Sequence, residues 1–271
     1  MGCKERGAAE VVVPGVDLRA QYRSIKVDID EAIRRVIDSG EFECGPELDA
    51  FEDAFAQFCG TRYAVAVGSG YAALFLVLKA AGLGPGDEVL TTANTDMATI
   101  SAISHTGAMP VLVDIDARTH NIDPTLIEAK VTPRTRALMP IHLYGLPADM
   151  DPVLEIADRH HLLVIEDAAL ALGARYKGTR VGGIGHLGCF SFAPNKILGA
   201  YGDGGMVVTN DPQLAQKIDV LRRQGSQKKY HAEVLGFNSR LDSLQAAILG
   251  VKLQYLDSWN KARRHVAREY N

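Results

Sequence analysis

Short apolar runs that alternate with segments of helical length constrain the fold of this chain more than any other feature of its sequence. Most of these runs are continuously apolar, which is typical of strands in a sheet that helices cover on both faces. The alternation predicts an α/β fold in which helices sandwich a mostly parallel sheet. The predicted strands are residues 63–67, 88–92, 110–113, 137–142, 162–165, 188–192 and 206–209. The helical segments between them are residues 71–81, 97–106, 124–130 and 152–161.

Two of these helical segments have a clear start signal. Pro124 follows Asp123 and Pro152 follows Asp151. A capping aspartate followed by a proline in the first turn is a common way for a helix to begin. We therefore expect helices to start at both places.

Segments with a helical pattern also flank the core. They are residues 27–39 and 47–59 before it, and residues 212–223, 242–255 and 259–270 after it. We divide the chain into an N-terminal helical segment (1–60), an α/β large domain (61–240) and the helical start of a C-terminal region (241–271). The last pattern reaches the end of the sequence without a cap, a glycine or a proline. From this we expect that a small C-terminal domain has been truncated.

Charge and composition argue against several classes of function. The chain has 271 residues, with 29 Lys and Arg against 33 Asp and Glu, which gives a net charge of −4. An acidic chain is a poor candidate for nonspecific binding of nucleic acid. The basic stretch 261–268 is expected to be the polar face of a helix. No apolar run is long enough to span a membrane, so we expect no membrane partner.

The cysteines and the N-terminus indicate a reduced, cytoplasmic protein. Cys3, Cys44, Cys59 and Cys189 contain no C-x-x-C spacing, so neither a zinc site nor a redox pair is expected. Reduced thiols are normal in the cytosol. The N-terminal Met-Gly-Cys has Arg6 where a myristoylation motif needs Ser or Thr, and nothing resembles a signal peptide.

Three candidate sites follow predicted strands, at the carboxyl ends where α/β sheets bind their ligands. The first is Gly68-Ser69-Gly70-Tyr71, which opens a helix and could hold a phosphate on free N–H groups. With Ala73 it also fits a dinucleotide-binding pattern, although the acidic residue expected after the second strand is not well placed. The simplest alternative is a tight turn between strand and helix.

The second and third sites carry charged side chains. Glu166-Asp167 follows the run 162–165, where an acid could cap a helix, bind a metal or face a cofactor. Lys196 lies in a loop between two apolar strands and precedes a cluster of glycines, whereas most loop lysines are simply solvated. Together, a phosphate cradle, an acid and a lysine are what pyridoxal phosphate (PLP) requires. The lysine holds the cofactor as a Schiff base, and the acid keeps the pyridine nitrogen protonated.

The order of several longer motifs resembles the DegT/DnrJ/EryC1/StrS family of sugar aminotransferases, from Leu18 to Asn271. This resemblance implies the large domain of the type I PLP-dependent transferase fold. It also implies transfer of an amino group from glutamate or glutamine to a keto group of a nucleotide-linked sugar, by a homodimer. The motifs are Gly84-Pro85-Gly86-Asp87-Glu88-Val89, Asn121-Ile122-Asp123-Pro124, Pro140-Ile141-His142-Leu143-Tyr144-Gly145, Val164-Ile165-Glu166-Asp167-Ala168-Ala169, Phe190-Ser191-Phe192, Gly202-Asp203-Gly204-Gly205 and Gly236-Phe237-Asn238-Ser239-Arg240-Leu241.

The resemblance also assigns roles to individual residues. Lys196 matches the Schiff-base lysine and Asp167 the partner of the pyridine nitrogen. Ser191 matches the hydroxyl that binds the cofactor phosphate, to which Gly70 and residue 71 add backbone N–H groups. Asn238 matches a residue that reaches the phosphate from the neighbouring subunit.

Three positions depart from the family pattern. Asp96 stands where family members have an aromatic residue that stacks on the pyridine ring, and we expect it instead to cap the helix 97–106. If it did stay at the ring, a buried carboxylate would need a partner, for which His105 and His142 are the candidates. Leu170 replaces a Gln or His near the phenolic oxygen of the cofactor, and Tyr71 replaces a common Thr.

Three alternatives to transamination stay open from the sequence. Sugar dehydration with PLP is disfavoured, because the family members of that kind replace the lysine with histidine. A non-catalytic or regulatory homologue that keeps the fold is suggested by the expected truncation of the C-terminal domain and by the three departures. A dehydrogenase with a dinucleotide cofactor is suggested by Gly68 and Gly70, but gives Lys196 no role. The identity of the sugar, the aminated carbon and the amino donor cannot be predicted.

Overall fold

A seven-stranded sheet forms the centre of the protein. The structure is a computed structural model that describes residues 16–228 and 231–270, so Cys3, Arg6 and Asn271 lie outside the described residues. The strands stand in the order β1-β9-β8-β5-β4-β2-β3. They are β1 (Tyr63–Val67), β2 (Glu88–Thr92), β3 (Met109–Val113), β4 (Thr135–Met139), β5 (Leu163–Asp167), β8 (Leu187–Ser191) and β9 (Gly205–Thr209).

The sheet is mostly parallel, as the sequence predicts. Only β9 runs against its neighbours, and it pairs antiparallel with both β1 and β8. Two short hairpins stand apart from this sheet. One pairs β6 (Arg175–Tyr176) with β7 (Thr179–Arg180), and the other pairs β10 (Ser226–Lys228) with β11 (His231–Ala232).

Helices cover both faces of the sheet. On one face, apolar residues of β1, β2, β4, β5 and β8 pack against α4, α5 and α7. On the other face, one end of the sheet packs against α3 and α8, and the other end against α6. The helices are α1 (Leu18–Ser24), α2 (Lys26–Ser39), α3 (Pro46–Cys59), α4 (Gly70–Ala80), α5 (Met97–Thr106), α6 (Met150–His160), α7 (Pro212–Arg222) and α8 (Ser243–Tyr270).

The segment 124–130 is not the helix that the sequence predicts. It forms two separate 3-10 turns, Pro124–Leu126 and Glu128–Lys130. Asp123 does cap the first turn, with its side chain accepting from the Thr125 N–H. Val131 is already extended, and Thr132 precedes Pro133, a position that disfavours helical backbone. The segment is therefore too short to develop a stable α-helix.

The strand predicted at 137–142 is β4, Thr135–Met139, and three further boundaries shift. Asp149 stands at the N-cap of α6, so Asp151 is inside the helix and the predicted cap at Asp151 is wrong. Residues 242–255 and 259–270 join into the single helix α8, because neither Gly nor Pro lies between them. Strand β5 extends to Asp167, so Glu166 and Asp167 belong to the strand rather than follow it.

The C-terminal part of α8 is exposed to solvent. Residues 261–270 of α8 are all exposed, which agrees with the predicted polar helix face. Across residues 16–228 and 231–270, no helix combines the length and apolar character that crossing a bilayer requires. The division of the chain at residues 60 and 240 stays a prediction.

Candidate active site

The N-terminus of α4 and the end of β8 meet in a close backbone contact. A Cβ on Gly70 would lie 2.5 Å from the Ser191 Cβ and 2.9 Å from its Oγ, so any larger residue would clash. A Cβ on Gly205, which pairs with Ser191 across β8 and β9, would overlap the Ser69 carbonyl. The glycines thus bring the Ser191 hydroxyl against the first turn of α4.

This contact has the donors of an anion site. Ser69 caps α4, with its Oγ accepting from the Ala72 N–H at 3.0 Å. The N–H groups of Gly70 and Tyr71 come earlier in the helix, where no carbonyl of the helix itself can accept from them. Together with the Ser191 hydroxyl and the helix dipole, they form a cradle suited to a phosphate.

The Tyr71 side chain leads away from this cradle. Its hydroxyl lies 2.8 Å from the His105 Nδ1, and its ring stacks on Phe75 with centroids 5.9 Å apart. Burial raises the pKa of the Tyr71 hydroxyl. Only the backbone of Tyr71 is therefore directed at the anion site, and the replacement of Thr by Tyr leaves that N–H in place.

The segment that carries Asn238 lies beside the same cradle. The Ser239 Oγ accepts from the Gly68 N–H at 3.3 Å, within one chain. Asn238 itself is exposed, and its backbone forms a bridge with Arg223. It is not at the start of a helix, because α8 begins only at Ser243. Gly68 and Ser239 are far apart in the sequence, so their contact could not be predicted from it.

Asp167 is a buried carboxylate at the end of β5, with 6% of its surface exposed. Its Oδ2 accepts from the Thr99 hydroxyl at 2.9 Å, and its Oδ1 accepts from the Ala169 N–H at 3.2 Å. Burial raises the pKa of Asp167, although these two hydrogen bonds and the charge of Lys196 act in the opposite direction. A positively charged partner would favour the ionised form of this buried carboxyl group.

Thr99 belongs to this site, although the sequence does not predict its role. It is fully buried in the first turn of α5, and its hydroxyl oxygen also accepts from the Thr95 hydroxyl at 2.8 Å. The only signal available in the sequence is its position three residues after the capping Asp96. That position orients the Thr99 hydroxyl toward the sheet edge where Asp167 ends.

Glu166 has a different task from its neighbour Asp167. It is fully buried on the opposite face of β5 and accepts from the N–H groups of Gly182, Ile184 and Gly185 at 2.7–2.8 Å. The His142 Nε2 lies 2.9 Å from the same carboxylate, while its Nδ1 accepts from the Ala148 N–H. His142 therefore carries its proton on Nε2, and the pair supports the fold.

Lys196 is half-buried in the turn that follows β8. Its own N–H donates to the Ala193 carbonyl at 2.9 Å, and the Ala200 N–H returns to the Phe192 carbonyl at 2.8 Å. The charge of Lys196 is close enough to lower the pKa of Asp167. The structure thus brings the acid and the lysine to one edge of the sheet, beside the Gly70–Ser191 contact.

Asp96 is the N-cap of α5. Its Oδ1 accepts from the Ala98 N–H at 2.8 Å, and the residue is exposed. His105 is engaged with Tyr71, and His142 with Glu166 and Ala148, so neither is placed as a partner for Asp96. The structure therefore has the capping arrangement that we expected from the sequence.

Leu170 lines an open cavity of about 390 Å³ next to the lysine turn. Tyr144, Ile197 and Arg263 also line it. Leu170 itself offers no hydrogen bond, so any polar group that binds here must use other donors. Within the described ranges, no cluster of three His, Cys, Asp or Glu side chains could hold a metal ion.

Relatives of known function resemble this chain over nearly its whole length. The dTDP-3-amino-3,4,6-trideoxy-alpha-D-glucose transaminase of Streptomyces venezuelae is 52% identical over 258 residues, covering 95% of this chain and 68% of the relative. A crystal structure of S. venezuelae DesV in complex with a ketimine intermediate has a TM-score of 0.94 and 52% identity, covering 95% of this chain and 70% of that one.

A further solved structure contains a bound cofactor. NtdA from Bacillus subtilis with bound cofactor PMP has a TM-score of 0.84 and 36% identity, covering 90% of this chain and 56% of that one. The family model for the DegT/DnrJ/EryC1/StrS aminotransferase family matches residues 23–271. This chain therefore belongs to the DegT/DnrJ/EryC1/StrS aminotransferase family.

Proposed function

We propose that this protein is a PLP-dependent aminotransferase that moves an amino group from glutamate or glutamine to a keto group of a nucleotide-linked sugar. One observation carries the proposal. The Gly70–Ser191 cradle, the buried Asp167 and the half-buried Lys196 converge at one edge of the sheet. The transaminase of S. venezuelae, which acts on a dTDP-linked sugar, supports the substrate class.

The described residues fit PLP group by group. The N–H groups of Gly70 and Tyr71 and the Ser191 hydroxyl would hold its phosphate, and Asp167 would face its ring nitrogen. Lys196 would hold it covalently. When bound, PLP supplies an aldehyde that condenses with an amine, releasing water, and a ring that stores electrons during the reaction.

The chain itself would orient the reacting groups and move protons. Asp167 keeps its orientation through the hydrogen bonds from Thr99 and Ala169. A cationic ring nitrogen beside it would offset the cost of burying the carboxylate, so the two charges stabilise each other. The Lys196 amine, once free, would accept and return a proton at the substrate carbon.

We also propose that the protein is a cytoplasmic homodimer. Asn238 is exposed, so its side chain is accessible to a neighbouring subunit, whose phosphate the family pattern implies that it contacts. Asp96 caps α5 and is assigned no stacking role. Leu170 lines the cavity beside Ile197, and its side chain would give the cofactor no hydrogen bond. The division of the chain into residues 1–60, 61–240 and 241–271 is part of the same proposal.

The three alternative functions differ from transamination in the cofactor they need, in the role they give Lys196 or in the absence of turnover. The dehydrogenase alternative is wrong, because the chain belongs to an aminotransferase family. The presence of Lys196 disfavours the dehydratase-like alternative. A non-catalytic homologue would keep the fold but fail to turn over a nucleotide-linked keto sugar.

The test is to locate the covalent attachment of the cofactor. The purified chain should absorb visible light after PLP is added, and borohydride followed by peptide mapping should find the label on Lys196. Lys196→Ala should lose both signals, and Lys217→Ala, an exposed control, should keep them. A reducible adduct on Lys177 or Lys217 in Lys196→Ala would overturn the assignment.

Turnover then tests the reaction. With glutamate or glutamine as donor, the wild-type chain should form an amino sugar from a dTDP-linked keto sugar. Covalent PLP on Lys196 without any amino transfer from either donor to dTDP- or UDP-linked keto sugars would support the non-catalytic alternative instead.

A further inference from the structure

Lys252 of α8 is a buried lysine that the proposed chemistry does not use. None of its surface is exposed. Its Nζ donates to the Gly199 carbonyl at 2.6 Å and lies 4.2 Å from the centroid of the Tyr201 ring. No ion pair of the described part of the chain includes it.

Such a lysine is costly to keep in a folded protein. Burial without a carboxylate disfavours the charged ammonium, and it lowers the pKa of Lys252 to about 8. Methionine or leucine would fill a similar volume without that cost. Among residues 16–228 and 231–270, the groups that compensate this cost are a carbonyl and an aromatic face, and both belong to the segment that follows Lys196.

That segment is held by α8 at two points. Gln245, two turns before Lys252, accepts from the Tyr201 N–H at 2.8 Å with its Oε1. Between Lys196 and Gly199, the side chain of Leu198 is buried in the apolar cluster that α3 and α8 share. At Gly199 the backbone turns so closely on the Pro194 carbonyl that a Cβ would overlap it.

We propose that Lys252 is a positioning residue that fixes the Lys196 turn, so that the Lys196 amine is aimed at the site where it attaches the cofactor. The inference rests on the role proposed for Lys196. The ammonium holds the Gly199 carbonyl, three residues beyond Lys196, while Gln245 holds Tyr201. The phosphate cradle is built by α4, β8 and β9, and so does not depend on Lys252.

This separation defines the test, because positioning should affect attachment rather than phosphate binding. In the full chain, Lys252→Met should bind PLP with wild-type affinity by fluorescence quenching. The rate at which the visible band of the Schiff base appears should fall at least tenfold, and borohydride reduction of the end product, with peptide mapping, should place it on Lys196. Lys261→Met, on the exposed part of the same helix, is the matched control and should attach PLP at the wild-type rate.

Two further variants keep the outcomes distinct. Tyr201→Leu removes the aromatic face from a partly exposed residue and should slow attachment at least threefold, which tests the idea even if Lys252→Met does not fold. Lys196→Ala should show no attachment, and an adduct that persists there would refute the proposed function instead. Wild-type attachment rates in folded Lys252→Met, or in Tyr201→Leu when Lys252→Met does not fold, would refute the positioning role.

Discussion

Single residues decide which charges this site can hold, and Asp167 is the clearest case. We expect Asp167→Asn to reduce turnover by at least about 100-fold, since an amide cannot stabilise a protonated ring nitrogen. Binding of PLP should weaken much less, because the cradle at Gly70 and Ser191 is untouched. Steady-state kinetics and PLP titration would measure the two effects. Near-normal turnover would exclude Asp167 as the ring partner.

Thr99 offers a milder version of the same experiment. Thr99→Val keeps the shape of the side chain but removes the donor to the Asp167 Oδ2. We expect turnover to fall less than in Asp167→Asn, because the carboxylate remains but loses part of its orientation. Thr95→Val, which removes only the hydroxyl that pairs with Thr99, is the control. Equal losses in both variants would argue against a specific role for Thr99.

The titration of Lys252 should be visible in stability. Its folded pKa of about 8 lies below the ordinary lysine pKa of 10.5, so the unfolded chain binds more protons between these two pH values. The contribution of Lys252 to the free energy of unfolding should therefore rise as pH increases from about 8 to about 10.5, by up to about 1.4 kcal/mol per pH unit. Below pH 8 its contribution should be constant.

The measurement is the difference between wild type and Lys252→Met in urea unfolding across that pH range. The difference removes the titration of groups near Tyr201, which include Tyr22 and Asp30 and are present in both proteins. A difference that does not change with pH would contradict the lowered pKa.

At the scale of elements, the start of α5 has a helix cap, Asp96, where the family pattern has an aromatic residue that stacks on the cofactor. Asp96→Tyr would restore the aromatic residue of the family pattern but remove the hydrogen bond to the Ala98 N–H. We expect a loss of about 1 kcal/mol in the free energy of unfolding and no gain in PLP affinity. Asp96→Asn, which keeps a capping side chain, should change neither. Tighter PLP binding by Asp96→Tyr with unchanged stability would favour stacking.

The contact between α4 and β8 makes a second prediction at this scale. Gly70→Ala would place a Cβ 2.5 Å from the Ser191 Cβ, which forces the two elements apart. We expect a cost of about 1–3 kcal/mol in stability and weaker PLP binding, measured by unfolding and by titration. Gly250→Ala, where a Cβ meets nothing within 4 Å, is the matched control. Unchanged PLP affinity in a folded Gly70→Ala variant would contradict the proposal that this cradle binds the PLP phosphate.

Elements were also where the sequence was most informative. Continuous apolar runs predicted every strand of the central sheet, because strands buried on both faces leave little room for polar residues. The pattern could not show that β9 runs antiparallel, or that 124–130 breaks into turns, since both depend on neighbours in space. At the site, strand ends pointed to Asp167 and Lys196, and the family resemblance added Ser191. Thr99 and Lys252 went unseen, because one threonine or lysine on a helix carries no signal of what it faces.

At the scale of the whole molecule, the assembly is the main open prediction. If Asn238 reaches the phosphate of a neighbouring subunit, the folded chain should sediment as a dimer, and Asn238→Ala should weaken PLP binding while the dimer persists. The exposed side chain leaves its own subunit unaffected, so stability should not change. A monomer that binds PLP tightly would contradict both the dimer and the role of Asn238.

The reversed direction of β9 has a consequence for how this site could evolve. Because β8 and β9 are antiparallel neighbours, Ser191 and Gly205 face each other, and residues 192–204 leave and re-enter the sheet at one place. The loop that contains Lys196 therefore connects two strands that pair with each other. The parallel strands, in contrast, are linked by crossover connections. Substitutions at exposed positions of the Lys196 loop, such as Pro194 and Asn195, need not shift any other strand, whereas Leu198 and Gly199 are fixed by the core and by the backbone of Pro194.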